Sequence, residues 1–558
     1  MFTPDRPDYP RLWLVMAAAA TLVVMLGARL AFLATRPPGA HAGQPTFTLH
    51  GARGSIWDRD GWLLAANRYA YAVHAAPNVI QDPASFAGEV APLLGTSAAT
   101  VLAAIADENS AWAPLSHEVS PTIAGQLRRL ALPGLALERI ARRAYPLGST
   151  AAHLTGFVLD DGRVAYGIEA GADHLLRGND GRMVGNYGSN PRSYMPPRNG
   201  MDIVLSVDRD LQVGTADILE RAVEYQRATG GTVIVLEPST GALLASVSVP
   251  AYDPNDYANS HAERFRDAAI AEVYEPGSVV KPLTLAAAFQ AGVVNERSTY
   301  VDTGSIEVAG ITVTNWDHTP HGATDMTRLL QYSLNVGAVH VATALGAERF
   351  YAALADFGFG APTGIELPGE EAGLVHWPDA PDWYPGHLAT NSFGQGLAAT
   401  PLQVATAIAA IANDGVLMAP HVVSSVVLES GELRPVAPRA VRRVVSTRTA
   451  HAVRDLMTEV VAGRVTQAAV PGYSVAGKTG TSEIPHGDGY HPEDTIASFV
   501  GFLPANAPRI VVLVKIDRPR TSRGNDVAAP IFAEVARLAI QTLGIPPDGS
   551  HGIGSGNS

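Results

Sequence analysis

The 558-residue chain contains no cysteine. That excludes disulfides, thiol nucleophiles and cysteine-ligated zinc, and it suits an exported protein, in which an unpaired thiol is a hazard. Lysine is nearly absent as well: of 40 Lys and Arg residues, only Lys281, Lys478 and Lys515 are lysine. Positive charge is in deficit overall, with a formal net charge of −13 at pH 7. This argues against nucleic acid as a partner, because neutralising phosphates takes clustered Lys and Arg. Charged residues make up 17% of the chain and hydrophobic ones 47%, a balance of globular rather than disordered proteins. Internal repeats are lacking, and 558 residues are too many for one ordinary core, so two or three domains are expected.

One long apolar run is present, "LWLVMAAAATLVVMLGA" from Leu12 to Ala28, continued past Arg29 by "LAFLA". Its length suits a helix crossing a bilayer. A cleaved signal peptide would have a shorter apolar centre followed at once by a small-x-small site, so an uncleaved membrane helix over 12–34 is expected, behind a tail of residues 1–11. Arg6 and Arg11 on one side and Arg29 and Arg36 on the other leave the orientation undecided by charge. A Pro/Gly linker over 35–50 leads to an α+β module over 51–215. In it, "GARGSIWDRDGWLLAANRYAYAVHAAP" alternates like hairpin strands around Asp60-Gly61, and residues 80–140 read as helical. A second domain over 216–545 opens with a hairpin in "GGTVIVLEPSTGALLASVSVP". Helical stretches follow, among them "LTLAAAFQAG", "MTRLLQYSLNVGAVHVATALG" and "PLQVATAIAAIANDG". Strands return in "YSVAGKTGT", "TIASFVGFLP" and "RIVVLVKID", and the helix "PIFAEVARLAIQTLG" closes the domain before a flexible tail, 546–558. The expected fold is α+β and multidomain, with a central sheet made from the first and last strands of the second domain around a helical middle.

Two of the three lysines are candidates for the chemistry. Arginine keeps its proton under all protein conditions, whereas a lysine can lose one when desolvated or placed near another cation. Lys281 stands three residues after Ser278 in "YEPGSVVKP". On a helix beginning near Ser278 the two side chains share a face, close enough for an amine to take the hydroxyl proton. Pro282 removes an amide from the first turn, which must therefore be irregular. Ser333 and Asn335, two apart in "QYSLNVG", face one cleft only in a loop or at a helix end, the bland alternative being a cap. "PGYSVAGKTGTSEIP" reads two ways. Gly472 to Thr479 fits the G-x-x-x-x-G-K-T phosphate loop, and Lys478-Thr479-Gly480 fits the K-T-G box of penicillin-interacting serine enzymes. A phosphate loop should run straight into a helix, but Gly480, Pro485, Gly487, Gly489 and Pro492 follow, so the K-T-G reading is preferred. Lys515, in an apolar strand, reads as a leftover. Asp317, His318 and His321, and likewise His486, Asp488 and His491, read as turn-rich loops rather than metal sites, since neither set has zinc-enzyme spacing. "RGSIWDRDG" reads as a structural latch.

Ser278-x-x-Lys281, Ser333-x-Asn335 and Lys478-Thr479-Gly480, in that order, resemble the motif set of class B penicillin-binding proteins. The resemblance spans nearly the whole chain. "RGSIWDRDG" (53–61), "YPLGSTAAHLTGFV", "GIE" (167–169) and "LRGNDG" (176–181) are similar to segments of the family's pedestal domain. "SFGQG" (392–396) and "ASFVGFLP" (497–504) are similar to its transpeptidase domain, and no glycosyltransferase module is visible. The resemblance implies a peptidoglycan D,D-transpeptidase in which Ser278 attacks a D-Ala-D-Ala stem peptide and β-lactams acylate the same serine. Lys281 would be the base, Ser333 a proton relay, Asn335 an orienting group and Lys478 an electrostatic group. Thr479, Gly480 and Thr481 would bind substrate, and the backbone N–H groups of Ser278 and Thr481 would form the oxyanion hole. No metal or organic cofactor is implied. A polytopic membrane glycosyltransferase of the shape, elongation, division and sporulation type is implied as partner, with the catalytic domain outside the cytoplasmic membrane and a division role ahead of elongation. A β-lactam sensor that cross-links nothing and a serine β-lactamase are the alternatives.

Overall fold

The computed structural model of the chain describes residues 10–34, 46–184, 193–486, 489–521 and 523–548. Residues 1–9 of the expected tail 1–11, residues 35–45 of the expected linker 35–50 and the terminal tail from 549 lie outside the described residues, whereas Thr46–Leu49 at the end of the expected linker is a strand. The chain forms two compact units, one of residues 1–51 with 179–198 and one of 52–178 with 199–558. The first contains the helix Pro10–Ala34 and a small antiparallel sheet of Thr46–Leu49, Gly181–Val184 and Ser193–Met195. The helix covers the apolar run. Among the described residues, however, no single helix is long and apolar enough to cross a membrane, and the apolar stretch found there is Ala19–Leu30.

In the second unit, the alternation around Asp60-Gly61 forms the expected hairpin, Ile56–Trp57 against Leu63–Ala75. The long strand Leu63–Ala75 also pairs with Ala113–Val119 and Leu135–Ala144. The all-helical reading of 80–140 is thereby corrected. Helices Pro83–Leu94, Ala98–Ala104 and Pro121–Leu130 form, but Ala113–Val119 is a strand. Only its two end residues, Ala113 and Val119, are buried, so it carries little periodic signal; the ladder to Leu63–Ala75 decides its conformation. The latch reading of "RGSIWDRDG" is borne out. Arg53 binds Glu169 at 2.5 Å and Asp173 at 2.6 Å, and Arg143 binds the same fully buried Glu169 at 2.6 Å. Asp58, also fully buried, accepts from the amides of Asp60, Trp62 and Arg209. The same sheet continues through Asp202–Leu205 to Val423–Val427, so hydrogen bonds run unbroken from the N-terminal module into the C-terminal one.

The five-stranded antiparallel sheet has the order Leu243–Val249, Gly230–Leu236, Ile510–Asp517, Gly489–Leu503, Ala476–His486. It is built from the domain's first and last strands, as expected. "IVVLVKI" lacks a polar/apolar alternation because both faces of the sheet are covered. Val511 and Leu513 face a core shared with the fully buried helix Pro401–Ala412. Val512, Val514 and Ile516 face a second core with helices Arg209–Gln226 and Gly524–Leu543.

Candidate active site

The segment before Ser278 is shaped by backbone constraints. Gly277 has φ +59°, and a Cβ there would lie 2.9 Å from the carbonyl oxygen of Thr481. Only glycine allows the turn to lie this close to strand Ala476–His486. Gly277–Val280 is a 3₁₀ turn and Lys281–Gln290 an α-helix, with Pro282 in the first turn. The irregular start expected from Pro282 is thus a tightened turn, which suits a residue with no N–H to donate. Ser278 is half-buried and lines a cleft of about 470 Å³ together with Ser333, Asn335, Thr479 and Thr481.

The stretch read as one helix from Met326 breaks at Ser333, which stands at φ +56° between helices Met326–Gln331 and Asn335–Leu345. For a serine this conformation costs on the order of 1 kcal/mol or more. The break turns the Ser333 carbonyl and hydroxyl towards Lys281, whose Nζ donates to them at 2.6 and 3.2 Å and to Asn335 Oδ1 at 2.8 Å. Asn335 Nδ2 donates to the Thr314 carbonyl at 3.0 Å, so both ends of the amide are engaged and its bland role as a cap is excluded. From the opposite wall, Lys478 Nζ reaches Ser333 Oγ and the Thr479 carbonyl, each at 3.0 Å. One hydroxyl therefore touches both amines. Both lysines are buried, at 0% and 1% exposure, with no carboxylate among these partners. Burial, and then the charge of Lys478, holds the Lys281 amine well below the ordinary lysine range. Burial pushes Lys478 down to about 7.

Thr479 and Thr481 line the cleft, and the residues that alternate with them along the strand, Lys478, Gly480 and Ser482, are buried. A Cβ on Gly480 would lie 2.4 Å from Ser498 Oγ and 2.9 Å from the Pro276 carbonyl, so its missing side chain makes room for the turn that carries Ser278. Sequence reading missed Glu275. Its carboxylate accepts from the Gly396 amide at 3.0 Å and from the Tyr490 hydroxyl at 2.9 Å, tying the segment before Ser278 to "SFGQG" and to the neighbouring strand. Its place in "YEPGS" was the available signal. Lys515, read as a leftover, is 2% exposed, donates to Asp517 at 2.5 Å and lies 5.5 Å from the centre of the Tyr274 ring. Asp317 and His321 pair with each other at 2.9 Å, and among the described residues no three metal-binding side chains converge. The side chains of His486 and His491, and Asp488 altogether, lie outside the described residues.

The buried Lys478 has a measurable consequence. Folded, it loses its proton near 7; an unperturbed lysine does so at 10.5. Between these values the unfolded chain holds the extra proton, so the contribution of this group to stability rises with pH. The melting temperature of wild type relative to Lys478→Met should therefore climb as pH is raised from about 7 towards 10.5, read by thermal denaturation of both proteins across that range.

A serine at the start of a buried helix, in one cleft with a second hydroxyl that touches two buried amines, defines a serine acyltransferase of the penicillin-interacting class. The family model "Penicillin binding protein transpeptidase domain" matches residues 231–537, and "Penicillin-binding Protein dimerisation domain" matches 48–205. The chain is 33% identical to the probable peptidoglycan D,D-transpeptidase PenA of Neisseria meningitidis, over 96% of this chain and 93% of that one. It is 31% identical to the peptidoglycan D,D-transpeptidase FtsI of Escherichia coli K12, over 89% and 84%. Penicillin-binding protein 3 of Mycobacterium tuberculosis, solved with aztreonam, superposes with a TM-score of 0.71 at 28% identity, over 90% and 98% of the two chains. The chain belongs to the class B penicillin-binding proteins, serine peptidoglycan D,D-transpeptidases that cross-link cell-wall peptides and are acylated by β-lactams.

Proposed function

We propose that Ser278 is the acylated residue and that the chain works as a division-type transpeptidase anchored by its N-terminal helix. The Ser333 hydroxyl, within 3.2 Å of Lys281 Nζ and 3.0 Å of Lys478 Nζ, is the observation that carries the reading. Ser278 Oγ attacks the carbonyl of the penultimate D-alanine, and its proton passes to the Lys281 amine. The backbone N–H groups of Ser278 and Thr481 hold the oxyanion, a contribution of about 10²–10³ in rate for one donor. The carbon–nitrogen bond breaks, and Ser333 relays a proton to the departing D-alanine. An amine of a neighbouring strand then attacks the ester and frees Ser278. Asn335 orients Lys281, Lys478 adds positive potential, and Thr479 and Thr481 hold the donor peptide alongside Gly480.

The domain bounds follow the same reading: tail 1–11, membrane helix 12–34, linker 35–50, pedestal 51–215, transpeptidase domain 216–545 and tail 546–558. The catalytic domain lies outside the cytoplasmic membrane, where peptidoglycan is joined. The partner is a polytopic glycosyltransferase of the shape, elongation, division and sporulation type, contacted through the span and the pedestal. The test is to label the full-length chain with a penicillin, digest it and sequence the adduct. The adduct is expected on Ser278 with a lifetime of hours. An adduct on another residue overturns the assignment. Release within seconds marks a hydrolase, and a lasting adduct without peptide cross-linking marks a sensor.

A further inference from the structure

The Ser333 end of the cleft carries two cations that the acyl-transfer chemistry does not use. Arg464 follows helix Thr447–Gly463 and lines the cleft, its guanidinium 4.4 Å from the centre of the Tyr332 ring. Arg523 precedes helix Gly524–Leu543 on the opposite wall, where the Gly524 amide meets Thr481 Oγ1 at 3.3 Å. Its guanidinium reaches to 5.9 Å from the centre of the Trp316 ring. Trp316 Nε1 donates to the Tyr332 carbonyl at 2.9 Å, so the two rings belong to one wall, next to Ser333. Elsewhere the arginines of this acidic chain are widely paired with carboxylates, as Arg53, Arg142, Arg143 and Arg221 are. Among the described residues, the guanidiniums of Arg464 and Arg523 have no hydrogen-bond acceptor. Among the described residues, the one carboxylate lining the cleft is Glu483, two residues past Thr481 on the side of Glu275 and Tyr490.

An arginine lying against an aromatic ring still has its N–H edge free to meet a carboxylate in bidentate fashion. The positive charge of Lys478 is incomplete at neutral pH because its amine titrates near 7. Guanidinium groups, by contrast, are not deprotonated in proteins. We propose that Arg464 and Arg523 form a carboxylate-binding subsite at the Ser333 end of the cleft, filled by a peptide carboxylate during transfer. The inference rests on the acyl-transfer reading of this cleft. Two sources offer that chemistry: the C-terminal carboxylate that leaves with the donor's D-alanine, and a carboxylate on the acceptor.

The experiment uses the full-length chain in detergent, with two thioester donors that share an N-benzoyl-D-alanyl group. One has a thioglycolate leaving group bearing a carboxylate, and the other a neutral ethanethiol leaving group. For Arg523→Gln and Arg464→Gln, kcat/KM with the charged donor is expected to fall about tenfold or more, the neutral donor changing by less than about twofold. Arg523→Lys should recover part of the loss, since it restores charge without the fork. A second arm measures aminolysis against hydrolysis of the acyl-enzyme with D-alanine or D-alaninamide as acceptor. A loss confined to D-alanine assigns the subsite to the acceptor and supports the proposal. An equal fall with both donors, or no change in either arm, overturns it. If the wild type forms no acyl-enzyme with either donor, the serine-transfer reading falls and the subsite with it.

Discussion

Replacing Lys281 with arginine keeps the positive charge, yet acylation of Ser278 is expected to fall by about 10²–10⁴-fold, the usual contribution of a positioned general base. In the proposed mechanism the site needs an amine that can be neutral. Lys281 is fully buried, its partners are two Ser333 oxygens and Asn335 Oδ1, and burial beside Lys478 disfavours its charged form. Arginine is larger and does not give up its proton, so it would bring a permanent buried charge and no base. Lys281→Met separates the two faults, because it removes the base without burying a charge. Both variants should lose labelling by fluorescent penicillin, and only Lys281→Arg should also lose melting temperature. Labelling of Lys281→Arg within about tenfold of wild type would show that Lys281 is not the base.

Replacing Glu169 with alanine is expected to destabilise the N-terminal module by about 3–5 kcal/mol, the range for removing one partner of a buried ion pair. Glu169 is fully buried and receives Arg53 on one oxygen and Arg143 on the other, at 2.5 and 2.6 Å; the side chain of Arg143 is itself only 3% exposed. The Tyr145 hydroxyl donates to the same carboxylate at 3.4 Å. Without Glu169, Arg143 would be a buried cation left with Asn67 Oδ1. Arg53 would keep Asp173. Urea denaturation should show an early transition for Glu169→Ala, while protein that is still folded keeps its penicillin labelling, because Glu169 has no contact with the cleft. An unchanged denaturation curve would mean that the latch contributes nothing. Double substitution with Arg143→Met should recover part of the loss by removing the stranded charge.

How much of this could be read along the chain differs from residue to residue. Ser278 and Lys281 were legible because a three-residue spacing on a helix is a local fact and because lysine is so scarce here. The hairpin Gly230–Leu236 to Leu243–Val249 was legible because "EPSTG" signals a turn locally. Strand Ala113–Val119 was not, since its partner is dozens of residues away and its burial pattern is weak. The break at Ser333 was hidden too. Helical periodicity runs through "LLQYSLNVGAVHV", and no local rule places a serine at φ +56°. Arg464 and Arg523 carry no motif, and Glu275 only its place in "YEPGS"; they matter through Gly396 and Tyr490, Tyr332 and Trp316, which come from distant segments.

By itself, the sequence determined the inventory of reactive groups: one serine at a helix start, three amines in a chain of arginines, and no thiol. It also determined the order of the motifs and the strands and helices with a strong local signal. Only the tertiary structure decided that Lys281 and Lys478 meet on one hydroxyl, and that both are buried deeply enough to be held below the ordinary lysine range. The reason is that proton affinity depends on the water and charge around an amine, and that surroundings of segments some 200 residues apart exist only once the sheet and its helices have closed around them.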